Sequence, residues 1–254
     1  MRDALSWARS LLFYDPLIYV YTVVLGTLSL LSSLLDRGGR VQHGFARLWS
    51  RMILATIGAS VKVTGLENIN PSGPHVYIVN HLSAMYIPVL YSRLPFQFRI
   101  LAKKELFRYP FLGWHLRRSG QIPVERESAL ASLRSLNVAA RTLRDGMPLV
   151  IFPEGGRSAD GQVQPFMSGA FYVAVKAGAE IVPMALVGTY ELLPMNSFHI
   201  RPRPLELAVG DPISTAGADL RKLDPLIERT RQAVEDLYYA RAKVPDPRKN
   251  RVIG

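Results

Sequence analysis

Residues 148–188 read PLVIFPEGGRSADGQVQPFMSGAFYVAVKAGAEIVPMALVG. PLVIFPEG predicts a short buried strand that breaks at its glycines. SGAFYVAVKAG predicts a helix, and EIVPMALVG a second strand. A strand, a crossover helix and a strand in one sheet run parallel, with helices covering the faces. Working outward, VKVTGLENI (61–69), HVYIVN (75–80) and FRILAK (98–103) read as further strands, with a turn at NPSGP (70–74). Residues 128–145 predict a helix with Leu130, Leu133, Leu136 and Ala140 on its apolar side, ended by Gly146. LELAVG supplies a late strand, and residues 224–242 a final helix burying Leu226, Ile227, Val234 and Leu237. The expected fold class is α/β, a mainly parallel sheet flanked by helices.

Before this body lies a different kind of sequence. Pro16 to Leu35 contains no charged residue, and twenty helical residues span roughly 30 Å, the thickness of a bilayer's hydrocarbon. Tyr14, Tyr19 and Tyr21 sit at its start, where amphipathic rings suit the headgroup layer. No small-residue cleavage pattern closes the run, so a signal peptide fits less well. In residues 41–59, Phe45, Leu48, Trp49, Met52, Ile53 and Ile57 recur at helical spacing. That helix either lies in the membrane interface or packs on the body. Arg37, Arg40, Arg47 and Arg51 follow the apolar run, which favours the cytoplasmic side for everything after it. We therefore divide the chain into a membrane-binding helical segment, 1–59, and an α/β domain, 60–254.

Composition narrows the chemistry. With 254 residues and 48% hydrophobic content, the chain carries 31 Lys and Arg against 20 Asp and Glu, a net +11. The isoelectric point is near 10.1 and the mean hydropathy +0.10. Basic and apolar together point to an anionic membrane surface before a nucleic acid, for which no aromatic-interleaved basic repeat exists. Zero cysteine excludes disulfides, cysteine-ligated metal and a thiol nucleophile. No metal-ligand spacing appears.

Three segments carry candidate chemistry. His81 closes an apolar strand, where α/β folds place their sites, and imidazole is the natural general base near neutral pH. Residues 93–126 hold eight basic and two acidic side chains, a surplus of +6 around LAKKELFRYPFLGW. That window reads as a solvated or membrane-facing patch, or as a phosphate pocket. FPEGGRS lets Gly155 and Gly156 bring backbone N–H groups close to a bound group, beside the planar fork of Arg157.

NHLSAMY, KELFRYPFLGW, FPEGGRS and IVPMAL occur in that order. With them the chain resembles the glycerophospholipid acyltransferase family, most of all its bacterial 1-acyl-sn-glycerol-3-phosphate acyltransferases. The resemblance covers about residues 60–215. It implies that His81 deprotonates an acceptor hydroxyl, which attacks an acyl thioester supplied by acyl-CoA or acyl carrier protein. It assigns Lys104, Arg157 and Ser158 to the acceptor's phosphate, with Glu154, Gly155 and Gly156 shaping the pocket. Val182 and Pro183 match the fourth motif. The implied acceptor is lysophosphatidic acid and the product phosphatidic acid. No cofactor or metal is expected, and the implied place is the bacterial inner membrane, catalytic domain on the cytoplasmic side.

The family pattern departs at one place that matters. In the family Asn-His is followed, after four intervening residues, by Asp; here that position is Tyr86, and no Asp or Glu occurs between Asn68 and Lys104. An Asp there would hold the second imidazole nitrogen, as in a serine triad. Tyr86 is neutral at pH 7. Three readings stand: a substituted active enzyme, a catalytically silent lipid- or carrier-binding relative, or a site that recruits another carboxylate. Gly156 and Ser168 also stand where Thr and Lys are usual.

Overall fold

The computed structural model describes residues 2–36, 38–69, 73, 75–125 and 128–248. Most of the turn expected at 70–74 lies outside these, as do Arg37 and Arg126. Seven strands form one sheet in the order β1-β7-β6-β2-β5-β3-β4. They are β1 (Val61–Thr64), β2 (Val76–Val79), β3 (Arg99–Lys103), β4 (Ile122–Val124), β5 (Leu149–Ile151), β6 (Ile181–Val187) and β7 (Leu205–Val209). β6, β2, β5, β3 and β4 run parallel. β7 is antiparallel to β6 and parallel to β1, so these two strands reverse at one end of the sheet. Between β6 and β7 the only helix is a single turn, Thr189–Leu192, whereas a parallel return needs a full crossover.

Alternate residues of the central strand β2 feed opposite layers. Tyr77 and Val79 pack with Ile53, Leu54, Val89 and Leu90. Val76 and Ile78 pack with Ala139, Leu143, Phe171 and Val234. The helices so engaged are α3 (Arg40–Thr56) and α4 (Tyr86–Arg93) on one face. On the other are α6 (Ala129–Arg144), α7 (Gly169–Ala177) and α9 (Asp224–Tyr239).

Several expectations change in detail. The strand expected over 61–69 stops at Thr64, and Leu66–Asn68 forms a 3-10 turn. Gly65 there has φ +74°, and a Cβ would sit 2.0 Å from the carbonyl oxygen of Val209. α6 buries Ala139, Ala140 and Leu143, while Leu130 and Leu133 face outward at 61% and 40% exposure. Small alanines let α6 approach the sheet: Ala140 is buried and Leu136 packs against the core as expected, whereas Leu130 and Leu133 point away. α3 packs on the body through Ile53, Leu54 and Ile57, so the packing alternative describes its inner side.

Ahead of α3, α1 (Arg2–Arg9) passes through a π-helical turn (Ser10–Tyr14) into α2 (Asp15–Ser32). Ala4–Ser32 is long and apolar enough to cross a membrane, and 6% of its most apolar window is buried. It is fastened to the body at both ends. Ser10 Oγ donates to the Ile200 carbonyl at 3.1 Å and accepts from the Ile200 N–H at 3.0 Å. Ser29 Oγ lies 3.2 Å from His115 Nδ1.

Candidate active site

β2, β5 and β3 are neighbours running the same way, with Ile78 opposite Ile151 and Ile100 opposite Val150. Their C-terminal ends are therefore flush, which sets His81, Glu154 and Lys104 along one edge of the sheet. The fold converts three distant motifs into one row.

Glu154 is the joint of this row. Its Oε1 accepts from the His81 backbone N–H at 2.7 Å and its Oε2 from the Gln164 N–H at 3.0 Å. Burial pushes its carboxyl up to about 7, against the pull of those two N–H groups. The Ser158 N–H donates to the His81 carbonyl at 2.8 Å, so the two loops clasp each other twice. Asn80 secures the strand end from the other side. Its Nδ2 donates to the Leu186 carbonyl at 3.0 Å and its Oδ1 accepts from the Leu186 N–H at 2.7 Å.

The His81 ring packs against two aromatics, Tyr86 at 4.7 Å and Phe152 at 4.7 Å between centroids. Tyr86 and Phe152 are themselves 4.3 Å apart. Nδ1 of His81 is buried and has no hydrogen-bond partner among the described residues. Tyr86 thus occupies the expected Asp position as a packing ring and leaves the imidazole unanchored at that nitrogen. Burial, then the nearby Arg157 charge, lower the His81 pKa to about 4. The ring is neutral at pH 7. Burial raises the Tyr86 phenol above its ordinary value, with Arg157 opposing.

The remaining predicted residues divide. Arg157 is exposed, and its charge is felt at both His81 and Tyr86. Gly155 has φ +74°, the left-handed region that glycine enters freely. A Cβ on Gly156 would meet nothing within 4 Å, so the turn leaves room for a side chain there. Ser158 is 1% exposed and its Oγ donates to Asp160 Oδ1 at 2.7 Å. Its hydroxyl holds the loop, contrary to the expectation of an open ligand group. Lys104 pairs with Glu125 beside β4, one strand further from His81 than the FPEGGRS turn.

The family model described as Acyltransferase matches residues 60–187. The chain is a member of this acyltransferase family. Its relatives include the 1-acyl-sn-glycerol-3-phosphate acyltransferase of Chlamydomonas reinhardtii, 32% identical over 92% of this chain and 68% of that protein. The chloroplastic enzyme of the same name from Arabidopsis thaliana is 34% identical over 62% of this chain, but the match spans 44% of its length. The crystal structure of the 1-acyl-sn-glycerophosphate acyltransferase of Thermotoga maritima superposes with a TM-score of 0.75 at 27% identity. It covers 93% of this chain and 98% of that one.

Within this acyltransferase, sequence reasoning missed Gln164 and Asp160. Gln164 fixes Glu154 and also reaches Asp160 through its Nε2 at 3.0 Å. Both lie in a polar turn whose only sequence signal is the run Asp160-Gly161 after the motif.

Proposed function

We propose that this chain transfers a fatty acyl group from acyl-CoA or acyl carrier protein to 1-acyl-sn-glycerol-3-phosphate, giving phosphatidic acid. The observation that carries the reading is the clasp of His81 to the FPEGGRS turn through Glu154. It holds a neutral imidazole at the sheet edge beside an exposed arginine.

His81 Nε2 takes the proton of the acceptor hydroxyl as its oxygen attacks the thioester carbonyl carbon. The tetrahedral intermediate then expels the thiolate, which recovers that proton from the imidazolium, and the new ester remains. Arg157 binds the acceptor's phosphate with its planar fork. Lys104 adds charge from the turn that follows β3, and Glu154, Gly155 and Gly156 set the shape of the FPEGGRS turn. The apolar helix brings the site to a membrane, with the body on the cytoplasmic side where the arginines follow the apolar run.

The orphaned Nδ1 supports the second reading, an impaired enzyme that binds its lipid but turns over slowly. Losing the carboxylate partner of a catalytic histidine costs roughly ten-thousand-fold in turnover. Thioester-dependent acylation should be weak in this chain and rise by about three to four orders of magnitude in Tyr86→Asp. The His81 ring should titrate upward from about 4 in the same variant, followed by NMR. Tyr86→Asp without acylation of any lysophospholipid or glycerol phosphate would sink the acyl-transfer reading, and His81→Ala retaining activity would sink the assignment of the base.

A further inference from the structure

Residues 104–118 leave β3 as a 3-10 turn, Lys104–Arg108, and return as α5 (Leu112–Arg118). This excursion buries Phe107 but turns four other large side chains outward. Tyr109, Phe111, Leu112 and Trp114 are 59%, 45%, 45% and 53% exposed. Phe111 sits at φ +67° and ψ −67°, a conformation a bulky residue adopts only when its surroundings force it. The strain projects Phe111 beside Trp114, with ring centroids 6.2 Å apart.

The same element meets the end of the apolar helix. Leu30 of that helix, Ser33 and Leu34 just beyond its end, and Trp114, Arg117 and Arg118 of α5 line a groove of about 480 Å³. Arg117 Nη1 donates to the Phe107 carbonyl at 2.5 Å, which fixes its guanidinium at the groove wall. Neither arginine forms an ion pair among the described residues. Two leucines, a tryptophan and two arginines lining one groove match a lipid with an anionic head and apolar chains.

We propose that this groove is a binding site for an anionic phospholipid of the bilayer, separate from the substrate's phosphate site at Arg157. An acidic protein would use the arginines but would leave the strained aromatic ridge and the leucines of α2 facing water. The bilayer accounts for both, and the site continues directly from the helix that is apolar enough to enter it.

Trp114 reports on this site. Full-length protein carrying Trp7→Phe and Trp49→Phe is bound to phosphatidylcholine vesicles containing a minor fraction of brominated lipid. Brominated phosphatidylglycerol should quench Trp114 several times more strongly than the same fraction of brominated phosphatidylcholine, because two arginines enrich the anionic lipid about tenfold or more. Arg117→Gln with Arg118→Gln should abolish that preference and leave the protein bound to the vesicles. Equal quenching by both lipids, a preference that survives the double substitution, or loss of the preference on adding acyl carrier protein or inorganic phosphate would overturn the proposal. The readout needs no turnover, so it is independent of the outcome at Tyr86.

Discussion

Glu154 does two jobs with one carboxylate, and each oxygen has its own backbone N–H. In Glu154→Gln one of those N–H groups would face an amide donor. An unsatisfied buried donor costs about 1–3 kcal/mol. Chemical denaturation should show a loss of that size, and acyl transfer should fall with it, because the loop carrying Arg157 is no longer held against His81. Unchanged stability would mean that the Ser158 to His81 bond alone closes the joint. At this scale the sequence was informative about identity and silent about partnership. His81 and Arg157 announced themselves by residue type and motif. The carboxyl of Glu154 reads from sequence as a pocket wall, and only the flush ends of β2 and β5 make it a bridge. The consequence of Tyr86 was half visible: the missing charge could be read, but the stacking on Phe152 is a packing outcome.

At the scale of elements, α5 depends on Gly113. A Cβ there would lie 2.2 Å from the carbonyl oxygen of Phe107 and 2.6 Å from its carbonyl carbon, both backbone atoms that cannot swing aside. Gly113→Ala must therefore push α5 off the 3-10 turn, and overpacking of this kind costs about 1–3 kcal/mol. A lowered thermal midpoint by circular dichroism, with weaker membrane quenching of Trp114, is the expected result. Six of the seven strands were legible because each is a short apolar run between turn signals, as β5 and β6 are, whereas β4 is three residues with Pro123 at its centre and gave no such run. Nor were α4 and α5 legible. α4 follows the His81 motif with Pro88 in its first turn, and α5 is seven residues long, too short for helical periodicity to declare itself. The reversed direction of β7 was equally hidden, since a strand's run of residues says nothing about which way it points.

At the scale of the whole molecule, three of the groups that burial shifts show how pH acts on stability. Burial lowers His43 to about 4, with Arg47 and Arg99 adding to it, and His81 behaves likewise. Between about 4.5 and 6.5 the unfolded chain protonates both histidines while the folded chain does not, so their contribution is lost as pH falls. Glu154 works in the opposite sense, since the folded chain keeps its proton up to about 7 and the unfolded chain releases it near 4.5. Each of these histidines therefore adds a positive slope of stability against pH across that window, which urea denaturation reads by comparing the chain with its variants. His43→Leu, which removes one of the two histidines, should flatten the slope. A steeper slope in that variant would contradict the account.

The pair of hydrogen bonds between Ser10 and Ile200, with the Ser29 to His115 contact at the other end, has a mechanical meaning. A helix joined to the body at one end would act as a tether and let the body swing above the bilayer. Pinned at both ends, it acts as a bracket. The distance from the His81 edge of the sheet to the plane of the lipid headgroups becomes a built-in dimension of the protein, like the mounting height of a tool on its bench. Under the membrane placement proposed above, bilayer thickness, through the tilt it imposes on that helix, is carried directly to the depth at which the site meets its lipid.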